Sequence, residues 1–149
     1  MKRILGIDLG QARIGLAVSD ELQFLAHPIE TIKRSQHKNA VARVAEVVRE
    51  KDVGCVVIGL PRHLNGAIGA AANDALAFAE KLRAIVPCEV RTWDERFTTV
   101  AAHAALRESG KSSRKTRRYV DQVAAQIILQ SYLDSLPANL DQGEGTPDI

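Results

Sequence analysis

Apolar residues recur along this chain with two different periods. Residues 3–9 form a short apolar run closed by Gly10, and residues 14–19 form a second; Gly10, Gln11, Ala12 and Arg13 suit the hairpin between them. Residues 25–33 predict a third strand, in which Pro28 implies a bulge or an edge position. From about Ser35, a candidate cap, the spacing becomes helical, with Val41, Val44, Ala45, Val47 and Val48 on one face. Residues 54–60 are apolar without alternation, which predicts a strand covered on both faces. A loop over 61–69 leads to an alanine-rich helix over 71–86, with Leu76, Ala79 and Leu82 or Arg83 at helical spacing. Residues 88–93 predict the last strand, Val90 and Thr92 alternating with Glu89 and Arg91. Two helices follow, one over 98–108 ended by Ser109 and Gly110, the other over roughly 116–136 ended by Pro137.

A three-stranded meander, then helix, strand, helix, strand and two helices, is the order of an α/β layered domain. The first three strands can pair antiparallel, and the later two can join strand one through right-handed helical crossovers. The expectation is a mixed five-stranded sheet with helices on both faces, occupying residues 1–136. The tail over 137–149, rich in Gly, Pro and acids, is expected to be disordered. A length of 149 residues suits one domain with a full core, and no internal repeat is present.

Composition narrows the class. The chain is 46% hydrophobic, 26% charged and 4% aromatic, as in soluble globular proteins. Its longest apolar runs, such as 55–60, are too short to span a bilayer, so no membrane association is expected. Met1, Lys2 and Arg3 run straight into a strand rather than a secretory leader, which predicts a cytoplasmic address. Cys55 and Cys88 show no C-x-x-C spacing and are expected to be inert.

Charge is distributed unevenly. The net charge is +2, but the last thirteen residues hold three acids and no base, which leaves +5 on the remainder. Residues 111–118 carry five bases, Lys111, Arg114, Lys115, Arg117 and Arg118, and no acid. Such a run can neutralise several phosphates of a nucleic acid, or it can be a solvated basic loop. Its place just before Asp121 favours the first reading.

Three carboxylates then draw attention. Asp8 interrupts an apolar first strand and points away from Ile7 and Leu9, where an acid is costly unless paired or metal-bound. Asp94 and Glu95 directly follow the last strand. Asp121 shares a helical stripe with Ala124, Ala125 and Ile128, facing inward. Each alone could be a capped turn, a strand-end ion pair or a partner for Arg13 or Arg118. Together they fall at the sheet end where α/β folds gather their chemistry. Carboxylate oxygens suit Mg²⁺ or Mn²⁺, and two such ions roughly 3.5–4 Å apart can drive phosphodiester hydrolysis.

The sequence here resembles the YqgF (RuvX) family of RNase H-like proteins over residues 2–136. The resemblance rests on Gly6-Ile7-Asp8-Leu9-Gly10 followed by Arg13-Ile14-Gly15-Leu16-Ala17-Val18-Ser19-Asp20, and on Gly59-Leu60-Pro61 with Gly66. It continues in Asp94-Glu95-Arg96-Phe97-Thr98-Thr99 and in Asp121-Gln122-Val123-Ala124-Ala125 with Ile128-Leu129. It implies an RNase H-like fold and a nuclease in which Asp8, Glu95 and Asp121 are both the catalytic acids and the ligands of Mg²⁺ or Mn²⁺. The family is associated with Holliday-junction resolution and with maturation of the 5′ end of 16S ribosomal RNA. One departure is Asn65 before Gly66, where an acid is common, with Arg62 and His63 nearby.

The function expected is thus cleavage of pre-16S ribosomal RNA, in contact with nucleic acid and ribosomal particles, with junction resolution on branched DNA as the alternative. Symmetric junction cleavage needs a dimer with two spaced sites, and nothing in the sequence decides between monomer and homodimer. Arg13 and Arg96 join the basic run as candidate nucleic-acid contacts, although Arg13 could equally be exposed. Thr98 or Thr99 suits a helix cap. Trp93 is expected to pack at its strand end, and the four histidines show no ligand spacing. Two other classes remain open. An actin-like ATPase or sugar kinase shares the Gly-Ile-Asp-x-Gly hairpin but clasps nucleotide between two such domains. A non-catalytic nucleic-acid-binding module would use only the basic run.

Overall fold

The most continuously apolar segments take the centre of a five-stranded sheet. In the computed structural model, which describes residues 2–36, 39–61, 68–95 and 114–137 (114–120 by backbone alone), β1 (Arg3–Leu9) lies between β2 (Arg13–Ser19) and β4 (Val53–Leu60). The edges are β3 (Ala26–Lys33) and β5 (Glu89–Asp94). β1, β2 and β3 form an antiparallel meander, whereas β4 and β5 run parallel to β1. The C-terminal ends of β1, β4 and β5 therefore lie side by side.

Alternation along these strands feeds two separate cores. Leu5, Ile7, Leu16, Val56 and Ile58 face α1 (Ala40–Glu50) and α2 (Ala70–Arg83), packing on Val44, Val47, Val48, Phe78 and Leu82. On the other face Ile4, Ala17 and Val57 meet Ala125, Leu129, Tyr132 and Leu133 of α3 (Arg114–Ser135). Helices thus cover both faces of a mixed sheet, as the sequence predicts. Among the described residues no helix is long and apolar enough to cross a membrane.

Several boundaries differ from expectation. Helix α1 is capped by the Asn39 side chain, which accepts from the Ala42 N–H at 3.1 Å, and Ser35 instead lies in the turn after β3. A turn residue four positions nearer the helix wins because its oxygen can reach a first-turn N–H. Pro28 sits at both predicted positions: β3 is an edge strand, and its register slips where Leu16 pairs Glu30 but Ala17 pairs Pro28. Helix α3 begins at Arg114, so Arg114, Lys115, Arg117 and Arg118 belong to its first turns rather than to a loop. The helix expected over 98–108, the loop over 62–67 and the tail beyond 137 lie outside the described residues.

Helix α3 comes unusually close to the sheet. A Cβ on Gly6 would stand 2.6 Å from the Cβ of Leu129, and one on Gly15 would collide with the backbone carbonyl of Asp121. A carbonyl within a helix cannot rotate aside, so Gly15→Ala must push α3 outward. It is expected to cost at least about 1–3 kcal/mol, the range for overpacking a tight core. A Cβ on Gly54 would stand 2.7 Å from the Cβ of Lys2, an exposed residue ahead of β1, so Gly54→Ala displaces only the start of the chain and is expected to cost less than Gly15→Ala. Urea denaturation of both variants checks the contrast, and equal stabilities would contradict it.

Candidate active site

Asp8 occupies a gap in the side-chain cover of the sheet. It pairs with Gly15 on β2, and one step beyond the Ile7–Ile58 pair it lies alongside Gly59 on β4. Paired residues point to the same face, so Asp8 looks toward α3 with no side chain on either neighbouring strand. The space over these glycines is used by two other groups. Gly15 lies against the backbone of Asp121, and a Cβ on Gly59 would stand 2.7 Å from Oε2 of Glu95 and from Cδ1 of Ile128. Asp8, Glu95 and Asp121 therefore share one face and one end of the sheet, on three different elements.

Asp94 is separated from this group by strand parity. It pairs with Leu60, which belongs to the core beneath α1 and α2, and so points to the opposite face from Glu95. The sequence alone left these two acids interchangeable.

Asp121 is held by an arginine. Arg13 Nε donates to Asp121 Oδ2 at 2.5 Å, and the two side chains are 28% and 22% exposed. The turn that carries Arg13 is firmly built. Gly10 N–H donates to the Arg13 carbonyl at 2.9 Å, Arg34 Nη1 donates to the Gly10 carbonyl at 2.8 Å, and Arg34 N–H donates to the Ala12 carbonyl at 3.0 Å. Arg34 also reaches Asp74 of α2 at 3.3 Å, tying the hairpin to the opposite helical layer. This bracing role left no mark in the sequence, because Arg34 and Gly10 are brought together only by the β2–β3 pairing.

The donors suit a hard divalent cation, because all are carboxylate oxygens. The group is nevertheless not drawn tight. Among the described residues no cluster of three or more His, Cys, Asp or Glu side chains converges closely enough to hold a metal ion. Of the candidate nucleic-acid contacts, Arg13 is at the site, and the backbone of Arg114, Lys115, Arg117 and Arg118 starts the helix that carries Asp121. Arg96 and Lys111 lie outside the described residues.

Other side chains hold α3 in register. Trp93 Nε1 donates to Ser131 Oγ at 3.0 Å, and its ring meets Tyr132 edge-on at 5.4 Å, so it packs at the strand end. Arg91 Nη1 donates to the Tyr132 hydroxyl at 2.6 Å. Gln126 and Gln130 clasp Ala26 from both sides, Gln126 donating to its carbonyl and Gln130 accepting from its N–H, each at 2.9 Å. Their helical spacing of four is visible in the sequence, but their target is not. Burial pushes the Cys55 thiol up to about 11 and raises Cys88 as well, which fits two unreactive cysteines.

Comparison with known proteins adds the chemistry. A family model described as RuvX, Holliday junction resolvase, matches residues 2–135. A Clostridium beijerinckii protein named "Putative pre-16S rRNA nuclease" is 44% identical over 134 residues, covering 90% of this chain and 97% of that one. A Nocardia farcinica protein of the same name is 48% identical over 143 residues, covering 91% and 79%. The fold is similar to that of T. thermophilus RuvC, solved in complex with a Holliday junction substrate, with a TM-score of 0.55 at 19% identity over 87% of this chain and 91% of that chain. This last likeness establishes a shared RNase H-like fold.

The separation of Asp94 from Glu95 can be checked directly. Glu95→Gln is expected to reduce divalent-cation-dependent cleavage of nucleic acid by more than the roughly hundredfold that an outer-sphere partner is worth, and Asp94→Asn by less than about tenfold. Cleavage rates of the two variants, measured side by side, decide it; equal losses would show that strand parity does not select the working acid.

Proposed function

We propose, from the premise that this chain belongs to the RuvX family, that it is a metal-dependent nuclease acting on the 5′ end of precursor 16S ribosomal RNA. The observation that carries this reading is that Asp8, Glu95 and Asp121 lie on one face, about Gly15 and Gly59, at the C-terminal ends of β1, β4 and β5. Asp8 sits on the central strand, Asp121 on α3, and Glu95 directly after β5, so each is fixed by a rigid element. Bound among these oxygens, Mg²⁺ or Mn²⁺, as one ion or a pair, would supply an acidified water and offset charge on the leaving oxygen.

The chain's own residues would bring the substrate in. The N-terminal end of α3 carries the positive end of the helix dipole, and four bases in its first turns reinforce it. Asp121 lies seven positions after Arg114, about 10 Å along the axis at the usual helical rise. A phosphate drawn to the helix start is thus within one or two nucleotides of the acids. Lys111 precedes these bases in the sequence and Arg96 directly follows Glu95, and Arg13 supplies a cation beside Asp121 itself.

Trimming an RNA end needs one site per molecule, whereas paired cuts in a junction need two sites held at a fixed spacing. That difference, with the names of the two relatives, favours ribosomal RNA and hence a cytoplasmic setting among ribosomal particles. Resolution of branched DNA is the second reading, favoured by the family description.

Asp8→Asn is expected to lower Mg²⁺- or Mn²⁺-dependent cleavage more than about a hundredfold while leaving nucleic-acid binding nearly intact. The assay offers a ribosomal RNA precursor and a four-way DNA junction in parallel; unchanged cleavage by the variant would sink the catalytic assignment, and cutting of the junction alone would transfer the activity to DNA. Replacing Arg114, Lys115, Arg117 and Arg118 with Gln is expected to weaken binding and flatten its salt dependence by about 0.7 in log–log slope for each phosphate no longer neutralised. Fluorescence anisotropy across a salt series measures the slope, and an unaltered one would remove the basic turns from the interface.

A further inference from the structure

We propose that Arg13 is an internal counter-cation whose transfer from Asp121 to a substrate phosphate couples cation loading to the arrival of nucleic acid. The inference rests on the reading of Asp8, Glu95 and Asp121 as the cation-binding acids, and it assigns to Arg13 a role in regulating them. Its starting point is the pair at 2.5 Å between Arg13 Nε and Asp121 Oδ2.

The pair puts two cations in competition for one carboxylate. With Oδ2 of Asp121 committed to the guanidinium, a divalent ion can use only Oδ1, beside an unscreened positive charge; two-oxygen ligation would require the arginine bond to be surrendered. With both side chains about three-quarters covered, at 28% and 22% exposure, water repays the broken pair poorly. The arginine needs another anion before it releases the acid.

A phosphate is the natural replacement. Guanidinium matches carboxylate and phosphate alike through its planar fork, so exchange from one to the other loses little. The backbone of Arg13 would not need to move, because its turn is closed by the Gly10–Arg13 bond and braced by Arg34. A rotation of the side chain alone would carry the charge from the helix toward an incoming strand. The same helix that carries Asp121 begins with four bases in its sequence, to which a polyanion would be drawn.

The two equilibria are then linked. A phosphate that takes Arg13 frees Asp121 for the cation, and a cation that takes Asp121 frees Arg13 for the phosphate. By linkage each raises the affinity of the other by the same factor, on the order of tenfold for couplings of ordinary size. In the free protein Arg13 also offsets the repulsion among the gathered acids, which stabilises the fold without a bound ion.

A purely structural role for the pair gives a different result, and Mn²⁺ binding separates the two. Mn²⁺ is titrated into the full chain, with and without a short 2′-O-methyl RNA that cannot be cut, and followed by electron paramagnetic resonance. For the parent, the RNA is expected to raise Mn²⁺ affinity on the order of tenfold. Arg13→Gln is expected to bind Mn²⁺ more tightly than the parent by a similar factor without RNA, and to gain little more when RNA is added. If the Gln variant does not fold, Arg13→Lys, which keeps the charge but loses the fork, is expected to show a reduced RNA effect. Equal Mn²⁺ affinities of parent and variant, or an equal RNA effect in both, would overturn the coupling while leaving the carboxylate site standing. Failure of Mn²⁺ to bind either protein under any condition would overturn the site reading, and the coupling with it.

Discussion

Helix α3 crosses β1, β2 and β4 at positions where the sheet presents Gly6, Gly15 and Gly59, and so comes down close to the strands beside its contacts with Ile4, Ala17 and Val57. Everything at the working end of the molecule depends on that approach. Asp121 lies seven positions after Arg114 in α3, and only a helix seated this close can set it against Gly15, the residue that pairs with Asp8. A larger residue at Gly15 would lift Asp121 away, and one at Gly59 would enter the space that the Glu95 carboxylate occupies. The same three absences of side chain admit the helix and the Glu95 carboxylate, and so fix where the acids stand.

Close approach alone would let the helix slide, and polar contacts set its position along the sheet. Gln126 and Gln130 bind the backbone of Ala26, Ser131 binds Trp93, and Tyr132 binds Arg91, so the second half of α3 is fastened at both edges of the sheet. The turn before β3 is itself built to receive this. Burial tends to raise the Asp20 carboxyl, but N–H bonds from Leu25 and Phe24, at 2.9 and 2.8 Å, outweigh it and hold its pKa below the ordinary 3.8. Gln23 takes the left-handed conformation within that turn, with φ of 64°. Gln130 then donates to the Phe24 carbonyl at 2.9 Å, joining turn to helix.

Gathering carboxylates on one face works against folding, and the chain offsets this with cations of two kinds. Arg13 answers Asp121 directly, whereas the bases in the first turns of α3 add positive charge where the helix dipole is already positive. That second arrangement is unfavourable for an isolated helix and sensible for one that meets a polyanion. Charges placed for stability are found elsewhere: Arg43 takes Glu30 in a two-pronged contact at 2.7 and 2.8 Å and reaches Glu46 and Glu50, binding α1 to the edge strand far from the acids.

The sequence determined the elements and their order, because apolar runs this short, bounded by glycine and turn residues, suit buried strands and the stripe in 40–50 suits a helix face. It also determined that Asp8 points away from Ile7, since alternation in a strand leaves no choice. Periodicity is a local property, and what it could not carry was any relation between distant segments. Glu95 was parted from Asp94 by the pairing of β5 with β4, which sets which side of the sheet each acid faces. Ser35 lost the capping role to Asn39, because the cap depends on where the chain leaves β3. Arg34 acquired its bracing role, and Arg13 its hold on Asp121, only when the hairpin and α3 were brought together over Gly15. Residue type and spacing supplied the acids; the close seat of one helix on three glycines decided which of them meet.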